Sequence, residues 1–129
     1  MKKIVVSLSA FLILGLQAAD INTNMHTMKE GLVSIQDGFL YNNQEAVANG
    51  IVQIKKANEI FHDKDSVAKY LPKDKKKLVG VTLLSAKRLS SDLDAMSEYL
   101  AQGNMLEAAV LHSDIIKDCT RCHAIVRGW

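Results

Sequence analysis

The chain has 129 residues, of which 48% are hydrophobic, 23% are charged and one is a proline. This length and composition fit a single globular domain with a core of its own. The formal charge is +2, and without Lys2 and Lys3 the basic and acidic residues are equal in number. A near-neutral domain lacks the basic surface that nucleic-acid binding requires, so the charge argues against nucleic acid as a partner.

Residues 1–19 have the pattern of a secretory signal peptide. Lys2 and Lys3 precede a short apolar run, and the small residues Ala18 and Ala19 follow it at the place of a cleavage site. The apolar run is shorter than the roughly 20 residues that a membrane-spanning helix needs. We therefore expect export, cleavage after Ala18 or Ala19, and no membrane span once the segment is removed.

Over residues 20–129, which we predict to be one domain, apolar residues repeat at helical spacing and no stretch alternates as a half-buried strand would. The predicted helices cover approximately 22–40, 44–61, 74–102 and 104–126. The polar segment 62–73 is predicted to be a connection that Tyr70 and Leu71 anchor. Four long helices with short links are typical of an antiparallel four-helix bundle, which is an all-α fold.

Each predicted helix carries an apolar stripe at spacings of three and four residues. We expect the stripes to pack together as the core, so that two cysteines near the end of the chain face inward. In chain order the stripes are Met25, Met28, Leu32, Ile35 and Phe39; Val47, Ile51, Ile54 and Phe61; Leu89, Leu93, Met96 and Leu100; and Ala108, Leu111, Ile115, Cys119, Cys122 and Val126.

The segment Cys119-Thr120-Arg121-Cys122-His123 is a C-x-x-C-H sequence, the attachment sequence of c-type haem. Cysteines three residues apart on a helix lie on one side of a single turn, so both sulfurs can add to vinyl groups of one porphyrin. The imidazole of His123 follows directly and can reach the iron. The motif therefore predicts one haem c per chain, with Cys119 and Cys122 as thioether residues and His123 as the proximal iron ligand.

Other interpretations of the cysteine pair fit less well. A zinc site needs four ligands, and the chain has two cysteines in all. A thioredoxin-like dithiol would follow a strand and begin a helix, and no strand is predicted. A dithiol or a structural disulfide stays open as the alternative to haem attachment. No acid, base or nucleophile constellation accompanies the motif, so the sequence favours a protein that is not an enzyme.

The position of the motif late in the chain, with Arg127 four residues after His123, resembles the cytochrome c′ family, the class II c-type cytochromes. Family members are four-helix bundles, in agreement with the predicted helices. The resemblance implies that Arg127 contacts a haem propionate or the proximal imidazole. The alternative is a helix C-terminal arginine that interacts with the dipole. The resemblance also implies a homodimer through the first two helices and haem attachment in the periplasm.

Family members differ at the sixth iron position. In the low-spin branch a methionine of the first helix ligates the iron, and in the other branch the iron is five-coordinate and binds small gases. Met28 is the favoured ligand, because Thr27-Met28-Lys29-Glu30 resembles the low-spin pattern and lies further from the cleaved end. Met25 is the alternative, and a third interpretation makes both methionines core residues.

The resemblance implies a periplasmic cytochrome that carries single electrons between redox partner proteins through a six-coordinate His/Met haem. Methionine is a soft ligand that raises the reduction potential. The alternative function is a five-coordinate haem protein that binds or senses gases such as nitric oxide. The same sequence features support this alternative, which differs only in that neither Met28 nor Met25 ligates the iron.

Overall fold

A computed structural model describes residues 21–128, and the predicted signal peptide with its cleavage site lies outside the described residues. The described range consists of helices and turns without a strand, which confirms the predicted all-α fold class. None of its helices is long and apolar enough to cross a membrane. Its α-helices are α1 (Ile21–Leu40), α2 (Gln44–Asn58), α3 (Lys64–Tyr70), α4 (Val79–Ala101) and α5 (Met105–Val126).

The segment predicted to be a connection is partly helical, and this prediction was wrong over α3. The Asp63 carboxylate accepts a hydrogen bond from the backbone N–H of Ser66 at 2.7 Å and caps the helix. Val67 and Leu71 are buried against α4, which confirms Leu71 as an anchor. A local cap and two buried apolar residues are thus enough to order seven residues.

Two of the predicted helix bounds also differ from the structure. The second predicted helix continues beyond Asn58 as a 3-10 segment, Glu59–His62, instead of an α-helix. The third was predicted to begin at Asp74, but Lys73–Leu78 forms a 3-10 segment and the α-helix begins at Val79. The lysine-rich sequence there has no buried residue, so packing does not enforce a regular α-helical turn.

Short turns join α1 to α2 and α4 to α5 as antiparallel pairs. Asn42 and Gly103 adopt φ values of 54° and 72°, the left-handed conformation that ends a helix and reverses the chain. The next helix begins at once in each case. The Asn43 side chain accepts from the Ala46 N–H at 3.1 Å to cap α2, and Asn104 caps α5.

Glycines allow the backbones of α1 and α2 to approach closely. A Cβ atom on Gly31 would lie 2.8 Å from the Gly50 carbonyl oxygen, and one on Gly38 would lie 2.8 Å from the Asn43 carbonyl oxygen. A Cβ atom on Gly50 would collide with the Gly31 carbonyl oxygen. Real Cβ atoms essentially never come within 3.0 Å of such neighbours, so this contact between helices needs glycine.

The core has two parts. The larger cluster draws on all four long helices and consists of Ile35, Val47, Ile51, Ile54, Leu89, Leu93, Met96, Ala108 and Ile115. The smaller cluster consists of Phe61, Val67, Leu71 and Ala86, with Ile21, Met25 and Val126 among the residues packed on it. Met28 contacts both clusters. Because the first residue of α1 and the last of α5 share one cluster, the start of α1 and the end of α5 meet there.

Asn58 is a buried polar residue that ties α2 to α4. It is 1% exposed, and its side-chain amide donates to the Ala86 carbonyl oxygen at 2.8 Å and to the Ser90 hydroxyl at 3.0 Å. A buried amide without partners would destabilise the fold by roughly 1–3 kcal/mol, so these bonds select one register of α2 on α4.

We expect Gly50→Ala to destabilise the protein by about 1–3 kcal/mol, because the added methyl group forces α1 and α2 apart. Gly80→Ala is the matched control, since Gly80 lies in α4 with no atom within 4 Å of the added Cβ. That change should be neutral or stabilise by up to about 1 kcal/mol through helix propensity. Urea unfolding measures the free energy of unfolding of both variants. Equal values for the two variants would contradict the close packing of the α1 and α2 backbones.

Candidate functional site

An apolar cleft of about 260 Å³ lies between the two core clusters and is partly open to solvent. Its walls come from α1, α2, α4, α5 and the 3-10 segment after α2. The apolar residues that line it are Met25, Met28, Leu32, Ile54, Phe61, Ala86, Leu89 and Ile115. Polar groups reach it from Lys29, Asn58, Thr82, Ser85 and Asp118. Such a cleft, mostly apolar with a few polar groups, is typical of a small-molecule or cofactor site.

The cleft brings together five residues that the sequence analysis assigned to haem or iron: Met25, Met28, Cys119, Cys122 and His123. All five side chains are half-buried. The first two belong to the start of α1 and the others to the end of α5, which meet because of the shared end cluster. Side chains about ninety residues apart in sequence therefore face the same space.

Arg127 does not line the cleft. It is exposed just after α5, and its backbone N–H donates to the His123 carbonyl oxygen at 2.8 Å. Its positive charge nevertheless acts on His123. Burial, and to a lesser extent this charge, lower the pKa of the imidazole. His123 is therefore held in the neutral form, which is the form that binds a metal.

The two thiols are in surroundings that oppose ionisation. Burial, together with the negative charge of Asp118 and the neighbouring Cys122, raises the pKa of Cys119 to about 11. Burial also raises the pKa of Cys122. Both are free cysteines with no disulfide between them. Reactive cysteines of thiol oxidoreductases have lowered pKa values instead.

Asp118 lines the cleft beside Cys119, and the sequence analysis did not single it out. It is 5% exposed, and its Oδ1 accepts from Arg121 Nη1 at 2.8 Å. Arg88 of α4 contributes a second charge, with its Nη1 3.8 Å from the same oxygen. The buried Oδ2 has no hydrogen-bond partner in the described part of the chain. The sequence signal that could have identified Asp118 is its position three residues after Ile115, on the apolar stripe of its helix.

Asn58 is the second cleft residue that sequence reasoning missed. It follows Ile54 by four residues and precedes Phe61 by three, so it lies on the apolar stripe of its helix. A polar residue on such a stripe indicates a buried hydrogen-bonding position. In the structure the Asn58 amide lies at the wall of the cleft and donates a hydrogen bond to the Ala86 carbonyl oxygen of α4.

Of the histidines, only His123 lines the cleft. His112 packs against Phe39 with ring centroids 6.3 Å apart, and burial lowers its pKa. His62 contacts Ser90 at 3.1 Å, and His26 is exposed. Within residues 21–128 no group of three or more His, Cys, Asp or Glu side chains is arranged to hold a metal ion by itself.

Comparison of the chain with protein-family models, with curated proteins and with solved structures gave no match. The motif and the cleft therefore carry the functional inference.

We expect the thiols of the haem-free chain to react slowly with iodoacetamide at pH 8 in native buffer. Unfolding in urea should restore an ordinary thiol, with a pKa of roughly 8.5, and speed alkylation by at least about tenfold. The single-cysteine variants Cys119→Ser and Cys122→Ser separate the two sites by mass spectrometry. Equal rates in native buffer and in urea would contradict the buried, protonated state.

Proposed function

We propose that this protein is a periplasmic c-type cytochrome that carries single electrons, with one haem c held covalently in the cleft. The observation that carries the proposal is the meeting of Cys119, Cys122 and His123 with two methionines on the wall of one apolar cleft. The C-x-x-C-H spacing supplies the chemistry of attachment, and the fold supplies a thioether group from the other end of the chain.

The donor set fits this cofactor. Two thiols three residues apart line the same cleft as a histidine whose lowered pKa keeps it neutral. Apolar side chains dominate the remaining wall, as the faces of a porphyrin require. Bound haem supplies a one-electron redox centre. Cys119 and Cys122 would hold it by thioethers, and His123 would be the proximal ligand.

Met28 is proposed as the distal ligand, with Met25 as the alternative. Both line the cleft, and Met28 in addition packs against both core clusters, which limits its freedom of movement. A thioether ligand favours the ferrous state and raises the potential. Arg127 is proposed to contact a propionate or the proximal side of His123, since its charge already reaches that imidazole.

We further propose that α1, α2, α4 and α5 form an antiparallel four-helix bundle like that of the cytochrome c′ family. The two helix hairpins, and the contact of α1 with α5 at both ends, support this arrangement.

A homodimer through α1 and α2 would cover Val33 and Val52, which are 43% and 65% exposed. Other partners would be redox proteins of the periplasm, where the N-terminal sequence pattern directs the chain. The role is that of a carrier and not of an enzyme.

The raised pKa values of the two thiols argue against a third interpretation, a thiol oxidoreductase. Such an enzyme needs a thiolate at neutral pH, whereas burial raises the pKa of both cysteines here. A protonated, half-buried pair is a poor nucleophile toward a disulfide.

Attachment is tested by expressing the chain together with a haem-attachment system in the periplasm. The double variant Cys119→Ala/Cys122→Ala should carry no haem after acid-acetone extraction, and each single variant should lose one thioether. Thr120→Ala is the matched control, since Thr120 is exposed within the same motif and should leave the spectrum unchanged. Covalent haem in the double variant would refute the proposal.

The distal ligand is tested with Met28→Leu and its matched control Met25→Leu. Met28→Leu keeps the apolar volume, so the free energy of unfolding should fall by less than about 1.5 kcal/mol. The methionine-to-iron charge-transfer band should disappear, the potential should fall, and the ferrous form should bind carbon monoxide. Met25→Leu should change none of these.

The opposite pattern would assign the ligand to Met25. If neither substitution altered the spectrum, methionine ligation would be refuted, and a five-coordinate, gas-binding protein would replace the electron carrier as the proposed function.

A further inference from the structure

Two carboxyl groups, Asp92 of α4 and Asp118 of α5, lie together in a polar pocket beside the cleft. Asp118 lines the cleft and also a second, polar pocket. The side chains that line this pocket are all charged: Arg88, Asp92, Asp114, Lys117, Asp118 and Arg121. Asp118 is therefore the group through which the polar pocket adjoins the cleft.

The two carboxyl groups differ in exposure. Asp118 is 95% buried and bonded to Arg121, with Arg88 at 3.8 Å, so its charge is compensated. Asp92 of α4 is partly exposed and can exchange protons with water. Burial raises the pKa of Asp92, and the like charge of the adjacent Asp118 carboxylate raises it further. Neighbouring carboxyl groups resist simultaneous ionisation, so Asp92 retains a proton more readily than an ordinary aspartate.

The remaining charges around Asp92 are mixed in sign. Asp114 on α5 adds negative charge and raises the pKa of Asp92, whereas Arg88 on α4 lowers it. Lys117 is paired with Asp114 at 2.8 Å, and Arg121 with Asp118. Among residues 21–128 no basic side chain forms an ion pair with Asp92, so a change of charge in the cleft can alter its proton affinity.

We propose that Asp92 is a redox-linked proton acceptor, which binds one proton when the cofactor in the cleft accepts an electron and releases it on oxidation. This inference rests on the proposed function. In the haem-loaded protein, a single-electron donor protein would supply one electron to the cofactor held by Cys119, Cys122 and His123. One proton arrives from water and forms an O–H bond on the Asp92 carboxylate. Oxidation reverses both transfers, so charge and atoms balance.

The physical cause is a loss of one positive charge from the cleft on reduction. Asp118 lines both the cleft and the pocket that contains Asp92, so Asp92 lies in the pocket next to that charge. Less positive charge nearby makes a carboxylate harder to maintain, so the proton affinity of Asp92 rises in the reduced protein. The reduced state then binds protons more tightly, and the reduction potential falls as the pH rises.

The test is the reduction potential of the haem-loaded protein as a function of pH, for wild type and Asp92→Asn. If the proton affinity of Asp92 changes tenfold between the two redox states, the wild-type potential falls by about 59 mV across the titration. Asp92→Asn should lack this part of the fall and stay near the low-pH potential. Proton release or uptake on redox cycling, followed with a pH indicator, should decrease in the same variant.

Asp94→Asn is the matched control. Asp94 lies on the same helix as Asp92, is exposed and is paired with Lys55 of α2, and it does not line the polar pocket. The reduction potential of the Asp94→Asn variant should therefore vary with pH as that of the wild type does. Circular dichroism confirms that each variant is folded. An Asp92→Asn potential that varies with pH as wild type does would overturn this inference alone. A chain that takes up no covalent haem would overturn the proposed function as well.

Discussion

Backbone contact between α1 and α2 is the constraint on which the site depends. Gly31 and Gly50 leave no space for a Cβ atom at the crossing, so α1 lies directly on α2. Because α1 packs this closely on α2, Met25 and Met28 line the cleft that α5 also borders. A side chain at either glycine would push α1 outward and withdraw both methionines. The placement of α1 on α2 thus depends on two glycines that do not line the cleft.

The same burial that builds the cleft decides the protonation of its groups. The thiols of Cys119 and Cys122 stay protonated and the His123 imidazole stays neutral, because each would have to carry charge in apolar surroundings. Neutral nitrogen and thioether donors in an apolar space suit porphyrin-bound iron, and they do not suit disulfide exchange. Electrostatics and packing therefore favour one chemistry for a motif that, as a short sequence, permits two.

Two of the polar residues at the cleft wall have partners on α4 or α5. Asn58 bonds to the Ala86 carbonyl oxygen, and Asp118 is paired with Arg121. Either residue, left without its partner, would destabilise the fold, so each also specifies how the helices are placed. The unpartnered Oδ2 of Asp118 is the exception in the described residues near the cleft.

The sequence by itself determined the helical class, the long helices and the candidate residues, because periodicity and the C-x-x-C-H spacing are local properties of the chain. It did not reveal α3, whose order depends on burying Val67 against a distant helix. Asn58 and Asp118 resembled breaks in the apolar stripes, since periodicity cannot tell a bonded buried polar group from an exposed one. That Met25 and Met28 line the same cleft as Cys119, Cys122 and His123 was decided by the tertiary structure, because the antiparallel packing of α1 and α5 brings the start of α1 to the end of α5.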